Sequence, residues 1–338
     1  MTPEPRTPSL RRSVVFATEA LEPVLELAYQ AEVSGFDRVW TTEYVGRDAI
    51  ARALAIAMRT STIEVGTGVA YAFTRLPLAM AALASDVQRL SRGRFGLGIT
   101  PGTKGVRRWF GAEFDPPAPK LVEYIAELRR IWATDPSYGV APPQVYAPAF
   151  NPIMTRHAAT VCDGLLLHPL AAGQTHLTER VLPAVARGSV DRTDPATLVA
   201  WQVTSIHDDE DVARERARAQ LAFYFSTPSY SPVVEGTPWE AEPARIQEAF
   251  RASDGDVSWR RIGALLPDDM VDEFALAGTP SSVRERLELL EKRLLSQGVS
   301  EIGFQTVGAD LSDDEAAENC GLIIETLGHR TNKETHDG

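Results

Sequence analysis

The sequence predicts an α/β fold, a (β/α)8 TIM barrel with an insertion between units seven and eight. Three observations predict it. Runs of β-type residues alternate with helix-type runs along the chain, the pattern of parallel strands joined by crossover helices. Eight such units can be counted, and 338 residues suit an elaborated barrel. No G-x-G-x-x-G follows the first strand, so the alternative, an open doubly wound sheet, lacks its dinucleotide-binding turn.

The elements follow in order. Residues 13–17 form a short β-type run, and 21–33 have helical apolar spacing that stops at Gly35. Residues 36–40 are the second strand and 48–59 an Ala-rich helix. The third strand, 63–70, carries two glycines, and Pro77 opens a helix through residue 90. Strand four is 94–99, followed by a helix at 119–132. Strand five, 145–150, comes after a run of prolines and precedes a helix at 152–161. Strand six is 163–168, with a helix at 175–186, and strand seven is 197–206. Acids at 208–211 sit at the positive end of the helix that runs to residue 222. A helix at 280–297 ends before Gly298, strand eight is 300–307, and 312–327 closes as a helix. The surplus, residues 227–276, is rich in Pro, Trp and acids and reads as an insertion of short helices and loops within one domain spanning 1–338. Residues 331–338 read as a disordered tail.

Composition narrows the function classes. With 44% hydrophobic and 24% charged residues the chain can bury a core, which excludes disordered, collagenous and membrane-spanning classes. No window reaches eighteen apolar residues, and no signal-peptide core follows the polar N-terminus, so the expectation is a cytoplasmic protein without membrane contact. The net charge of −12 without a basic run argues against nucleic acid as a partner. Two cysteines, Cys162 and Cys320, exclude a disulfide framework, and the six histidines show no ligand spacing, so no metal is expected. Lysine occurs only at positions 104, 120, 292 and 333, leaving arginine as thirty of the 34 basic residues, a bias of GC-rich bacterial genomes.

A barrel builds its site at the C-terminal ends of its strands. Those ends are residues 41–48 (TTEYVGRD), 66–75 (GTGVAYAFTR), 98–104 (GITPGTK), 149–152 (AFNP) and 168–170 (HPL). No nucleophile elbow or P-loop lies among them.

Residues 64–102, EVGTGVAYAFTRLPLAMAALASDVQRLSRGRFGLGITPG, resemble the bacterial luciferase-like flavin and deazaflavin oxidoreductases. The third strand, the Arg-x-Pro helix start and the LSxGRFxLGxG-like entry to strand four match together. GFDRVWTTE, PIMTRHAATVCDGLLLHPL and AGTPSSVRERLELLEKRLLSQGVSEIGF extend the resemblance over most of the chain except about 205–270. Residues 71–75 with Arg47 and Asp48 are most similar to the branch using coenzyme F420.

The resemblance implies a TIM barrel with the deazaflavin ring in its mouth, packed on a bulge whose non-proline cis peptide joins Gly68 and Val69. By matching, Gly68, Val69, Ala70, Thr100, Gly102, Ala149, Phe150, Asn151 and His168 hold the cofactor. Glu43 would hydrogen-bond cofactor or substrate or move a proton; its other reading is a rim carboxylate paired with Arg47. Tyr44 stands where the family often has His, as a proton donor or an aromatic wall. Arg75 and Arg94 are expected in packing and ion pairs. Hydride would pass between reduced F420 and a C=C, C=N or C=O group, and Thr103, where alcohol dehydrogenases of the branch carry an acid, favours reduction. The alternatives are an FMN-dependent monooxygenase of the same fold and a non-catalytic cofactor-binding barrel. The short segment 133–144, where the family has a hairpin, predicts an open mouth and a bulky natural-product or peptide-derived substrate. The resemblance also implies a homodimer, with 49–57 as its interface or as helix packed on the barrel.

Overall fold

The computed structural model describes residues 9–17, 20–109, 111, 116–134 and 136–329; the predicted tail at 331–338 lies outside them. Ten strands run in chain order: β1 Arg11–Phe16, β2 Arg38–Thr41, β3 Glu64–Thr67, β4 Ala70–Tyr71, β5 Phe95–Thr100, β6 Gln144–Ala149, β7 Gly164–Leu167, β8 Thr197–Ile206, β9 Ala275–Gly278 and β10 Glu301–Gln305. Eight of them, β1, β2, β3, β5, β6, β7, β8 and β10, pair in parallel with their neighbours, and the β10–β8 pairing closes the ring. Helices lie between the strands, so the architecture is the expected (β/α)8 barrel.

The two further strands extend this ring. β4 resumes the line of β3 beyond the Gly68–Val69 bond and pairs with the upper end of β5. β9 pairs with the upper end of β8, Val203–Ile206. The predicted insertion ended inside β9, because its sequence, ALAG, lacks the β-branched and aromatic residues that announce a strand. Between β8 and β9, a helix at Glu210–Phe225, a 3-10 segment at Pro228–Val234 and helices at Glu242–Ala252, Trp259–Gly263 and Asp268–Phe274 share a buried apolar cluster.

Helix starts follow the capping residues in the sequence. Asp48 accepts from the Ile50 and Ala51 N–H groups at 2.9 and 2.8 Å, and Ser312 and Glu315 form a reciprocal capping box. The helix Ala49–Arg59 turns Ile50, Ala53 and Ile56 onto the barrel.

Strand alternation sends every second side chain into the barrel. Trp40, Tyr146 and Trp201 fill it with Val15, Leu166 and Val199. Glycines, mostly register partners of these rings on the neighbouring strands, make room. A Cβ at Gly66 would collide with the Trp40 ring and one at Gly164 with Tyr146, while one at Gly68 or Gly303 would lie 2.5 Å from Trp201. Below the aromatics, Arg38 donates to Glu301 at 2.8 Å and to Glu64 at 2.9 Å. Trp40 Nε1 donates to the other Glu301 oxygen at 2.9 Å. The Arg38 guanidinium lies 4.8 Å from the Trp40 ring and 5.2 Å from the Tyr146 ring. Burial disfavours its charge, but Glu301 and Glu64 outweigh that and hold its pKa above the usual arginine value.

One expectation is corrected. The short segment 133–144 joins a helix to β6, and helix-to-strand connections lie at the N-terminal face of a barrel. Ala133 and Pro142 to Val145 line a cavity of about 820 Å³ beside Asp163, Arg192 and Thr197, at the bottoms of β6, β7 and β8. The segment therefore does not overhang the mouth, and its shortness carries no information about the size of the substrate. Among the described residues no helix is long and apolar enough to cross a membrane, and no three His, Cys, Asp or Glu side chains gather as metal ligands.

The buried ion pair gives a stability test. Arg38→Met strands Glu301 in the barrel without its counter-charge, and urea unfolding should show a loss of about 3–5 kcal/mol. A loss below about 1 kcal/mol would show that the pair is not fully desolvated.

Candidate active site

The mouth is built where the strands end. β3 stops at Thr67, whose hydroxyl donates to the Gly98 carbonyl at 2.7 Å and accepts the Gly98 N–H at 2.9 Å. The next peptide bond, Gly68–Val69, is cis. Gly68 donates its N–H to the Thr41 carbonyl at 2.7 Å, and Val69 packs on the Trp40 and Trp201 cluster. This bulge forms the floor of the mouth on the β3 side.

The neighbouring loops lend backbone more than side chains. Thr100 is buried at the end of β5 and its hydroxyl accepts the Gly102 N–H at 3.1 Å. Gly102 has φ +75, and a Cβ there would press within 3.1–3.2 Å of Val106 and Tyr71, so the turn needs glycine on both counts. Ala70 and Ala149 point their side chains into the outer helical layer, leaving only their backbone at the mouth. Asn151 is exposed, and its Oδ1 is engaged as the N-cap of the helix Pro152–Val161, accepting the Met154 N–H at 2.8 Å.

Phe150 and His168 come together on the opposite side. Phe150 meets His168 edge-on at 5.8 Å and Tyr230 at 5.1 Å. His168 stacks on Tyr230 at 4.6 Å and meets Tyr224 edge-on at 4.8 Å. Its Nδ1 accepts the Leu170 N–H at 3.3 Å, which leaves the proton on Nε2. Burial pushes the His168 pKa down to about 3, so the ring is neutral, although part of it still faces the mouth.

Glu43 stands directly after β2. Its Oε1 accepts from Arg75 at 3.0 Å, and Arg75 bridges on to Asp48 at 2.5 Å. Tyr124 holds the Arg75 carbonyl at 2.8 Å. The Glu43 side chain is only 7% exposed, and its Oε2 is buried without a hydrogen-bond partner of full geometry among the described residues. Burial raises the Glu43 pKa, Arg75 and the Tyr71 backbone N–H pull it down, and the balance lies above the usual glutamate value. The partner is thus Arg75, not Arg47. Tyr44 is 43% exposed and pairs its backbone with Arg47 in a tight turn at the rim. Glu43, Tyr44, Gly46, Arg47, Asp48, Thr74 and Arg75 line a cavity of about 410 Å³. Arg94 donates to the carbonyls of Ala57, Thr60 and Ile63, a packing role as expected.

Three tyrosines stand at the mouth, of which the sequence pointed to Tyr71 and not to Tyr224 or Tyr230. Tyr71 is buried on β4, and its hydroxyl is raised to about 12 by burial and then by the Glu43 charge. Tyr224 ends the helix Glu210–Phe225, and Tyr230 lies in the 3-10 segment, raised to about 12 by burial. The runs FYF and PSYSP are visible in the sequence, but nothing local says that the chain folds back over β7 there.

The Glu43 environment is open to direct titration. Since the native protein binds the Glu43 proton more tightly than the unfolded chain, this group makes stability fall as pH rises from the usual glutamate pKa to the native one. In protein labelled with [δ-13C]glutamate, the Glu43 carboxyl should titrate above the usual value, and Arg75→Met should move it higher still. A wild-type midpoint at or below the usual value would refute this balance of burial over pairing.

Comparison with known proteins agrees with this architecture. The sequence pattern of the family described as luciferase-like monooxygenase matches residues 3–297. An uncharacterized protein of Mycobacterium tuberculosis is 30% identical over 305 residues, 80% of this chain and 88% of that protein. A 5,10-methylenetetrahydromethanopterin reductase of Methanolobus tindarius is 26% identical over 306 residues, 83% of this chain and 90% of that protein. The structure of a coenzyme F420 dependent tetrahydromethanopterin reductase from Methanopyrus kandleri superposes with a TM-score of 0.74 at 21% identity, covering 94% of this chain and 98% of that one. The chain belongs to the luciferase-like monooxygenase family.

Proposed function

We propose that this protein is a deazaflavin oxidoreductase that moves hydride between reduced coenzyme F420 and a C=C, C=N or C=O group of a small organic molecule. The observation that carries this reading is Glu43, which lines the rim cavity with one oxygen held by Arg75 and the other without a hydrogen-bond partner among the described residues. Hydride addition to such a group needs a matching proton, and a buried carboxyl with a raised pKa is suited to supply one. The reductases among the relatives and solved structures point the same way.

The residues fit the cofactor. Val69 offers an apolar floor, and Gly102 lets the turn after β5 pass close to Tyr71 and Val106. The wall of Phe150, neutral His168 and Tyr230 suits a planar ring. When bound, the reduced deazaflavin supplies the hydride. The protein's own groups do the rest: the aromatics exclude water, Arg75 and Asp48 fix the Glu43 carboxyl, and that carboxyl holds the proton for the substrate atom that becomes negative. Tyr44, exposed at the rim, is assigned a substrate-contacting role and not that of proton donor.

Two measurements test the reading together. Fluorescence titration with F420 and FMN side by side should show saturable F420 binding at lower concentration than FMN. Glu43→Gln should keep that binding while the rate of F420 oxidation with an enone, imine and carbonyl panel falls by about 10²–10⁴. Preference for FMN favours the monooxygenase alternative, and wild-type rates in Glu43→Gln would remove Glu43 as the donor.

A further inference from the structure

The side of the mouth opposite Glu43 holds a hydroxyl in an unusual setting. Gln220 is 3% exposed, and its Oε1 accepts the Gly308 and Ala309 N–H groups at 3.0 and 3.3 Å. That anchors the helix Glu210–Phe225, which carries Tyr224 one turn further on. Gln305, also 3% exposed, donates its Nε2 to the Tyr224 hydroxyl. The phenolic oxygen therefore accepts from the Gln305 amide and keeps its own proton to offer. Behind the ring are the buried helix and strand that carry Gln220 and Gln305. In front of it are His168 at 4.8 Å and Tyr230 at 6.1 Å, and part of Tyr224 remains accessible from the mouth. Burial raises the hydroxyl's pKa, which keeps it protonated across the physiological range.

We propose that Tyr224 is the hydrogen-bond donor that anchors the carbonyl oxygen or imine nitrogen of the substrate, oriented by Gln305. This rests on the reading of the mouth as a hydride-transfer site, and it narrows the substrate to compounds that carry a neutral acceptor. Neutral His168 and the surrounding rings favour an uncharged, flat group at this end. The Gln305 amide that donates to Tyr224 also polarises its O–H bond, strengthening the bond it gives.

Carbonyl-13C cyclohex-2-enone is the probe, with acetophenone and a cyclic imine as further acceptors and cyclohexene as the ring lacking one. Binding to wild type and to Tyr224→Phe is followed by NMR titration, and the enone C=O stretch by difference infrared spectroscopy. Tyr224→Phe should weaken enone binding about tenfold. It should also move the bound C=O stretch to higher frequency while leaving the weak cyclohexene binding unchanged. Equal enone affinity with an unmoved stretch overturns the assignment, as does a wild type that holds none of the three acceptors. An F420 titration separates the two layers. If F420 does not bind while enone binding still depends on Tyr224, the anchor stands and the hydride-transfer reading falls. If F420 binds and Tyr224→Phe changes nothing, only the anchor falls.

Discussion

The packing of three large aromatic rings against glycine-bearing strands is the constraint on which the rest of the molecule depends. Trp40, Tyr146 and Trp201 fill the barrel, and each takes the volume that a Cβ at its partner glycine on the neighbouring strand would need. The fit is reciprocal. A larger residue at Gly66 or Gly164 would displace a ring, and a smaller residue at Trp201 would leave Gly68 without support. Because Trp201 and Trp40 lie directly under Gly68 and Val69, the height of the mouth floor is set by side chains that take no part in chemistry. The Arg38–Glu301 pair holds this plug from below, tying β2 to β10 and receiving the Trp40 indole N–H. Its desolvation is offset by several partners at once, which is the condition under which a buried pair is tolerated.

Above the plug, the mouth divides into two electrostatic halves. On the β2 and β4 side, Glu43, Arg75 and Asp48 form a chain of charges in which Arg75 satisfies two carboxylates. Glu43 is deep enough that burial wins over its partner, leaving a carboxyl with a proton affinity above normal. On the β7, β8 and β10 side, burial keeps His168 neutral and Tyr224 and Tyr230 protonated, while the Arg47 charge acts on Tyr224 from the rim. The proposed proton source thus shares the mouth with a wall of aromatic rings, which suits the proposed reduction of a polar double bond.

Much of the fold was legible in the chain, and the reasons can be named. Parallel strands buried on both faces read as continuous apolar runs, and Gly35, Pro77, Asp208–211 and Gly298 marked helix ends, so strand and helix order followed from pattern. β9 was missed because ALAG carries no strand preference and owes its conformation to β8. The site was half visible. Glu43, the 68–69 bulge, Thr100, Gly102 and His168 lie at strand ends, where position alone implies the mouth. Ala149 and Ala70 show the limit of that rule, since pleat alternation turns their side chains outward. Asn151 looked like a ligand but serves as a helix cap, a use that its place before Pro152 already allowed. Tyr224 and Tyr230 reach the mouth through the long β8–β9 connection, whose path depends on tertiary packing that no local signal encodes.

The account's central claim is that hydride arrives in this mouth from a deazaflavin and a proton from the protein, without oxygen entering the product. The most direct test is a single turnover of the wild-type protein with reduced F420 deuterated at C5 and cyclohex-2-enone under 18O2. The account predicts a product with one deuterium on carbon and no 18O. A product that carries 18O and no deuterium would contradict it.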